Sequence, residues 1–274
     1  MDTPSWPKLD EHLVKPEVTR DEMVRGERVV AMPARPEHGD RHFGLDYVLG
    51  AHIRSGYVGS SDLLTRFGEQ SDFATDTCIR KAGKNPATGE RYLEEVAFEV
   101  VHTQSAKSIR TRAEDISKRG VRRFFAVFVK RGEVAEWSAN DKAFVTLDPD
   151  GTIDDPTLAT PVPVRALLDA IEADNGVARA LLAKNNPVLE AELGRLREEA
   201  LAKEKESRFE EKAAAVLAVL HARGLPVTPE LQEELHACRD MRVLDEWLRN
   251  AATAASAAEV VLASAPPKKA PPAR

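Results

Sequence analysis

The stretch Val-Ala-Phe-Glu-Val-Val at positions 96–101 places one carboxylate, that of Glu99, inside an otherwise apolar run. The run lacks the alternation of a half-buried strand, and it is typical of a strand in the centre of a sheet with both faces covered. An ionised carboxylate in that interior costs several kcal/mol unless a cation or hydrogen-bond donors compensate it. The sequence therefore predicts that Glu99 has a partner.

Two kinds of partner for Glu99 are present in the sequence. Asp76 lies upstream in Phe-Ala-Thr-Asp-Thr-Cys-Ile (73–79), which alternates as a half-buried strand does. Two carboxylates on neighbouring strands can hold a divalent metal ion, because hard cations prefer oxygen ligands. A buried ion pair with an arginine, either Arg112 or Arg123, would also satisfy Glu99. Both interpretations stay open at this level.

A helix and a second apolar strand follow the Glu99 strand. The range 105–119 is polar and basic with one narrow apolar stripe, and Gly120 ends the predicted helix. Residues 122–130, Arg-Arg-Phe-Phe-Ala-Val-Phe-Val-Lys, predict the next strand. A strand, a helix and a strand in this order imply a crossover connection and two parallel strands. We therefore expect an α/β fold, with a mixed central sheet flanked by helices.

Further elements are predicted on either side of this unit. Glycine and proline mark most of their boundaries, because these residues interrupt regular backbone. The predicted elements are a strand at 27–32 that ends before Pro33, a helix from 38 to Gly56, one or two strands within 57–67, strands at 73–80 and 93–101, a strand pair within 133–147, and a helix near 164–171 that closes the domain.

From about residue 187 the pattern is helical. Leu189, Leu193, Leu196 and Ala200 recur at spacings of four, three and four, which predicts a heptad-like seam. The seam is short for a lone coiled coil, so packing within a small bundle is at least as compatible with it. These helices are also a candidate homodimer interface.

Two further helices are predicted to start at Thr228-Pro229 and at Asp240, where the threonine and aspartate side chains cap the first turn. The end of the chain, from residue 263, is too rich in proline and lysine to fold. The predicted divisions are an N-terminal tail at 1–18, the α/β domain at 19–172, an all-α helical extension at 186–262 and a disordered tail at 263–274.

Composition limits the classes to which the protein can belong. The hydrophobic fraction of 42% supports a packed core, and 31% charged residues with a net charge of −6 describe a soluble protein. No apolar stretch approaches the roughly 20 residues of a membrane span, and the first residues lack a secretory signal pattern, so we expect a cytoplasmic protein without membrane contact. Two distant cysteines, Cys78 and Cys238, argue against a disulfide framework or a cysteine zinc site.

Positive charge is concentrated directly after Glu99. Between residues 107 and 123 there are seven basic residues and only two acidic ones. A charged stretch on a helix is ordinarily a solvated face, but this position favours contact with phosphate groups. The residues predicted to contact DNA are Lys107, Arg110, Arg112, Lys118 and Arg119.

His38 and His42 lie four residues apart on the first predicted helix, a spacing at which two histidines can share a metal ion. No HExxH pattern accompanies them. A histidine near the start of a helix is more often a surface or capping residue, so we do not expect these two to form a separate metal site.

The order of these features resembles the PD-(D/E)XK nuclease superfamily and, more narrowly, the restriction endonuclease family labelled Uma-two. Asp76 in SDFATDTCIR, Glu99 in VAFEVV and the basic helix before Gly120-Val121 carry the resemblance, which covers about 21–169. It implies a restriction-endonuclease-like fold and a metal-dependent endonuclease that hydrolyses DNA phosphodiester bonds. By the same resemblance, Asp76 and Glu99 would bind Mg²⁺ or Mn²⁺, Glu27 would lend a further carboxylate and His38 would help to orient the site.

The sequence departs from the pattern of that superfamily at its basic residue. The lysine two positions after the glutamate is replaced by Val101, and the matching helical position of the narrower family holds Arg112. Arginine keeps the charge but stays protonated, so it cannot transfer a proton as a lysine can. Lys107 is a second candidate for this role. The alternative function is therefore an inactive domain of this fold that binds DNA or protein, with the C-terminal helices as an oligomerisation arm.

Overall fold

The computed structural model describes residues 6–15, 21–30 and 35–262. The chain divides into two compact units, Met1–Leu189 and Glu190–Arg274. The predicted proline and lysine tail at 263–274, the predicted break at Pro33, and residues 1–5 and 16–18 of the predicted N-terminal tail lie outside the described residues. Within the described ranges, no helix has both the length and the apolar character needed to cross a membrane.

The first unit contains a mixed sheet of eight strands. Their order is β2-β1-β4-β5-β6-β7-β8, with β3 paired to β4, and a separate pair is formed by β9 and β10. The strands are β1 (Asp21–Val24), β2 (Glu27–Val30), β3 (Tyr57–Gly68), β4 (Ser71–Lys81), β5 (Glu94–Val101), β6 (Arg123–Phe128), β7 (Glu133–Ser138), β8 (Ala143–Thr146), β9 (Thr152–Ile153) and β10 (Val162–Pro163). The helices of this unit are α1 (Pro36–His52), α2 (Ala106–Arg119) and α3 (Ala170–Ala183).

The strand that contains Glu99, β5, lies inside the sheet, as its apolar run predicts. It pairs antiparallel with β4 and parallel with β6, and α2 is the crossover between β5 and β6. Val96, Phe98 and Val100 contribute to a core that includes residues of α1 and α3. Ala97 and Val101 contribute to a second core with the apolar face of α2. The predicted α/β architecture with a mixed sheet between helices is confirmed.

The ends of α2 follow local signals. The Ser105 hydroxyl accepts a hydrogen bond of 3.1 Å from the backbone N–H of Ser108 and caps the first turn. Gly120 ends the helix with a φ of 113°, a left-handed conformation that glycine adopts at little cost. The first helix, α1, ends at His52, before the predicted stop at Gly56, because Ile53 is extended and forms a bridge with Leu158.

The helix predicted near 164–171 is wrong in its bounds. The structure has a short 3-10 helix at Val164–Leu167, and a new helix, α3, runs from Ala170 to Ala183. The Asp169 side chain accepts a hydrogen bond of 3.0 Å from the backbone N–H of Glu172, so it caps and starts α3. The stretch that ends at Leu167 and the helix that begins after Asp169 are therefore separate elements.

The second unit is helical. Its elements are α4 (Pro187–Ala222, which begins just before the unit boundary), α5 (Pro229–Ala237), α6 (Met241–Ala251) and α7 (Ala257–Leu262). Thr228 and Asp240 cap α5 and α6 as predicted, each accepting a hydrogen bond from a first-turn backbone N–H. The core of this unit joins the C-terminal half of α4 to the three shorter helices through residues such as Phe209, Leu220, Leu235, Leu244 and Trp247.

The predicted seam on α4 is not its buried face. Leu196 is 47% exposed and Ala200 is exposed, while Leu189 and Leu193 are only partly buried. The packed stripe of α4 begins at Phe209. The prediction that this seam packs within a small bundle of the chain is therefore wrong.

Candidate functional site

Asp76 and Glu99 lie side by side on β4 and β5. These strands are antiparallel and Thr77 pairs with Phe98, so Asp76 and Glu99 occupy the next pair of opposed positions. Opposed residues of antiparallel strands point to the same face of a sheet. The Asp76 Oδ2 atom also accepts a hydrogen bond of 2.6 Å from the backbone N–H of Val100. The sheet therefore brings together the two acidic residues that the sequence singled out.

Glu99 is buried and poorly compensated. Its residue surface is 5% exposed, its Oε1 lies 3.9 Å from Nη1 of Arg112, and its Oε2 has no hydrogen-bond partner among the described residues. Burial raises the pKa of Glu99 well above its ordinary value, and the charge of Asp76 raises it further, whereas Arg112 opposes both. A bound cation would lower the pKa of Glu99, because it favours the ionised carboxylate.

Arg112 approaches Glu99, as one of the two sequence interpretations expects, but its hydrogen bonds go to other groups. Nη2 donates to Oε2 of Glu22, and Nη1 donates to the backbone oxygen of Ala74 at 3.1 Å. The guanidinium also lies 4.7 Å from the centre of the Phe73 ring. Burial lowers the pKa of Arg112, but the nearby carboxylates of Glu99 and Glu22 outweigh this effect and raise it overall. The side chain therefore stays charged and holds Glu22 more closely than Glu99.

Arg123, the other arginine considered for Glu99, lies elsewhere. Its Nε donates to Glu136 at 2.7 Å, and its Nη1 donates to the backbone oxygen of Asp154 at 2.6 Å. The same Nη1 lies 3.4 Å from the Asp155 carboxylate. These contacts link β6 to β7 and to the loop after β9.

Glu22, on β1, is the third carboxylate of this cluster and is buried, and the sequence analysis missed it. Its Oε1 accepts a hydrogen bond of 2.9 Å from the backbone N–H of Ala74, and its Oε2 accepts from Arg112. The only local signal is an acidic pair, Asp21-Glu22, at the start of a short strand. The position of Glu22 depends on pairing between β1 and β4, which are far apart in the chain.

Glu27, the further carboxylate implied by the resemblance, does not join the cluster. It is exposed at the start of β2. The adjacent Gly26 N–H donates to the backbone oxygen of Gln70, just before β4 begins. Six residues separate Gln70 from Asp76, which is about 20 Å of extended chain. Glu22, rather than Glu27, supplies the additional carboxylate.

His38 lies at the start of α1 and faces Asp76. Its Nε2 is 3.7 Å from Oδ1 of Asp76, so the contact is electrostatic rather than a hydrogen bond. The Asp76 carboxylate raises the pKa of His38 above its ordinary value, and burial opposes this shift. The structure therefore places His38 beside Asp76, and its role in orienting the site stays a prediction.

His42 lies one turn further along α1. Its Nε2 is 2.7 Å from the backbone oxygen of Asp76, and because a carbonyl only accepts, Nε2 must carry the proton. One ligand atom from each of His38, His42 and Asp76 lies within 4.8 Å of the others, although no separate histidine site was expected. A protonated Nε2 does not bind a metal, so His42 in this tautomer positions the Asp76 backbone.

The basic residues of α2 divide into two groups. Lys107, Arg110 and Lys118 are exposed. The Arg119 guanidinium instead lies over the Trp6 ring and donates a hydrogen bond of 2.7 Å to the backbone oxygen of Pro7. Arg119 is therefore engaged by the N-terminal segment rather than presented to solvent as the other three are. Lys107 is five residues before Arg112, which places it about 140° away around the helix axis.

The chemistry of the cluster fits a hard divalent cation. Three carboxylates, from Glu22, Asp76 and Glu99, surround the single guanidinium of Arg112, and this leaves an excess of negative charge in a partly dry site. The unpartnered Glu99 Oε2 and the Asp76 carboxylate are the available oxygen ligands, and His38 Nε2 lies 3.7 Å from the Asp76 carboxylate. Two carboxylate oxygens suit Mg²⁺ or Mn²⁺ better than a soft metal.

Comparisons with known proteins add little to this geometry. No family model matches the chain, and no curated protein matches it. Among solved structures, the chain is similar to the crystal structure of "a putative nuclease belonging to DUF820" from Anabaena variabilis, with 12% sequence identity and a TM-score of 0.45. The similarity covers 54% of this chain and 89% of that chain.

Proposed function

We propose that the first unit is a metal-dependent endonuclease that hydrolyses phosphodiester bonds in DNA. The observation that carries the proposal is the buried Glu99 carboxylate, which lies beside Asp76 while its nearest cation, Arg112, is bonded to Glu22. A purely structural ion pair would put the arginine in direct contact with Glu99. Asp76 and Glu99 would hold Mg²⁺ or Mn²⁺, and such an ion activates bound water and neutralises charge on a phosphate.

The chain's own residues have separate roles in this proposal. His38 presents Nε2 beside Asp76, and the neutral form of that nitrogen can accept a proton from an attacking water molecule. His42 holds the Asp76 backbone through its protonated Nε2. Arg112 fixes Glu22 and limits repulsion among the three carboxylates, so it is a positioning residue rather than a proton donor.

A second candidate function is an inactive domain that binds DNA or protein. One observation favours it: Val101 is buried at the position of the superfamily lysine, and Arg112, the cation that lies near Glu99 in the described part of the chain, is held by Glu22. The exposed basic residues of α2, Lys107, Arg110 and Lys118, would then contact phosphate groups without cleavage.

The first half of α4 supports the proposed homodimer. On the predicted seam of α4, Leu196 is 47% exposed and Leu193 is partly exposed, and the two lie about 60° apart around the helix axis. Exposed apolar side chains on one helix are candidates for contact with a second copy. A full-length chain that is dimeric, and that becomes monomeric when both leucines are changed to lysine, would support this interface. An unchanged mass would remove it.

Cleavage assays test the leading proposal. The purified chain is incubated with plasmid and with single-stranded DNA or RNA in Mg²⁺ and in Mn²⁺, beside Asp76→Ala and Glu99→Ala variants prepared identically. Cleavage that both substitutions abolish would support the nuclease and exclude a contaminant. Activity that is equal in all three preparations, or absent from all, would reject the proposal. The inactive binding domain would then be the remaining candidate function.

A further inference from the structure

The first unit contains an open cavity of about 620 Å³ between the C-terminal half of α1 and β3. One end is lined by Asp46, Ser61 and Thr77, and the other end by Arg54 and Lys184. The volume is in the range of sites that bind nucleotide-sized ligands.

The first end of the cavity lies near the candidate metal site, with His42 between Asp46 and the backbone of Asp76. The Asp46 carboxylate accepts hydrogen bonds from Thr77 Oγ1 at 2.5 Å and from Ser61 Oγ at 2.6 Å. Its Oδ2 lies 3.6 Å from Nε2 of His42, which in turn contacts the backbone of Asp76. Thr77 follows Asp76 directly on β4. The end of the cavity at Asp46 therefore lies near the Asp76 backbone, and no residue of the carboxylate cluster lines the cavity itself.

The far end is positively charged and keeps free hydrogen-bond donors. Arg54 Nε donates to the backbone oxygen of Leu158 at 2.9 Å, and Lys184 Nζ donates to the backbone oxygen of Ala51 at 3.0 Å. A guanidinium has five N–H donors and an ammonium has three, so both groups retain donors for an anion. Asp46, at the opposite end, is the only acidic residue of the lining.

The length of the cavity indicates the size of its ligand. Asp46 and Arg54 are eight residues apart on and just after α1, which is about 12 Å at the helical rise. A single phosphate group does not span that distance, whereas a strand of nucleic acid presents phosphates along its length. Tyr57, a partly buried aromatic residue in the wall, can stack on a base.

We propose that this cavity binds a single strand of nucleic acid next to the candidate metal site, with Lys184 and Arg54 contacting its backbone phosphates. This inference rests on the proposed nuclease function, because it concerns the substrate of the same site. It also assigns the strand to the α1 and β3 side of the sheet, away from the basic face of α2.

Oligonucleotide binding tests the inference. The affinity of a short fluorescent oligothymidylate is measured by anisotropy in EDTA, over a range of salt concentrations, for Glu99→Gln as the uncleaving parent. When Lys184→Gln is introduced into this parent, the affinity should fall about tenfold at low salt. The slope of log affinity against log salt concentration should become about 0.7 smaller. Lys130→Gln, at an exposed lysine after β6, is the matched control and should change affinity less than twofold.

A second substitution in the cavity tests the inference independently, in case Lys184→Gln impairs folding. Ser55→Glu places an anion in the exposed turn that lines the cavity, so it should weaken binding several-fold, with an unchanged melting temperature. Wild-type affinity in both cavity variants would overturn the inference. If DNA is cleaved but both variants bind normally, only the inference fails; if binding depends on Lys184 but nothing is cleaved, the proposed activity fails.

Discussion

Two buried glutamates on one strand, five residues apart, have different surroundings. Glu94 is 1% exposed, and its Oε1 accepts hydrogen bonds from Thr65 and from Nη1 of Arg91 at 3.2 Å. Glu99 is 5% exposed, and its nearest cationic atom, on Arg112, is 3.9 Å away. Each has an Oε2 without a hydrogen-bond partner among the described residues.

The difference separates a structural carboxylate from a candidate functional one. The Glu94 carboxylate accepts a hydrogen bond from the Thr65 hydroxyl and forms an ion pair with Arg91. These contacts compensate the free-energy cost of burying its charge. Glu99 instead has a second carboxylate, Asp76, beside it, and its pKa is raised. Burial alone therefore does not indicate a functional acid, whereas burial with a poorly compensated charge makes Glu99 a candidate.

The largest expected effect is on DNA cleavage. Glu99→Gln should reduce metal-dependent cleavage about a thousandfold, equivalent to about 4 kcal/mol, because an amide does not replace a carboxylate as a metal ligand. Glu94→Gln should retain more than a tenth of the activity. Initial rates on plasmid DNA in Mn²⁺ measure both, and equal losses in the two variants would contradict the distinction.

Removal of each arginine should have the next largest effect. Arg112→Met leaves Glu22 and Glu99 in the interior without their cation and should lower the free energy of unfolding by about 3 kcal/mol. Arg91→Met should cost less, about 2 kcal/mol, because Glu94 keeps its hydrogen bond from Thr65. Urea denaturation measures both values. A smaller loss for Arg112→Met than for Arg91→Met would contradict this comparison.

The two isosteric glutamine variants should differ in their effect on the free energy of unfolding at neutral pH. Glu94→Gln weakens the bond to Arg91 and should cost about 1–2 kcal/mol. Glu99→Gln removes a carboxylate that is disfavoured in the folded state, so it should not lower the free energy of unfolding. These values are measured by urea denaturation in EDTA.

The sign of the pH dependence follows from the raised pKa of Glu99. Above about pH 4.3, the ordinary value of a glutamate, the folded state binds the Glu99 proton more tightly than the unfolded state. The stability of the wild-type protein should therefore fall as the pH rises from that value through the raised pKa. Glu99→Gln should lack this component, and an identical pH profile in the variant would exclude it.

The addition of a metal ion should have the smallest effect on the stability of the protein. Mn²⁺ at ten times its dissociation constant should stabilise the wild-type protein by about 1.4 kcal/mol, a rise of about 3–6 °C in melting temperature. Glu94→Gln should show the same rise, and Glu99→Gln should show little. Thermal melts with and without Mn²⁺ measure it. A rise of equal size in Glu99→Gln would place the metal elsewhere.

Much of the α/β architecture is predictable from local pattern. The strand, helix and strand from 94 to 128 follow from two apolar runs, a serine cap and a glycine stop, each of which acts within a few residues. The helix near 164–171 was misplaced because the capping role of Asp169 competes with a continuous apolar pattern. The α4 seam was misassigned because periodicity shows that a face is apolar, but not whether another element covers it.

The sequence by itself determined that a carboxylate lies in a central strand, because the apolar residues around Glu99 leave that segment no other place. Tertiary structure decided which groups surround it. Pairing of β1 with β4 brings Glu22, not Glu27, to Arg112, and the packing of α1 places His38 beside Asp76. These contacts join residues that are distant in the chain, and the balance of charge among them exists only when the strands and helices are assembled.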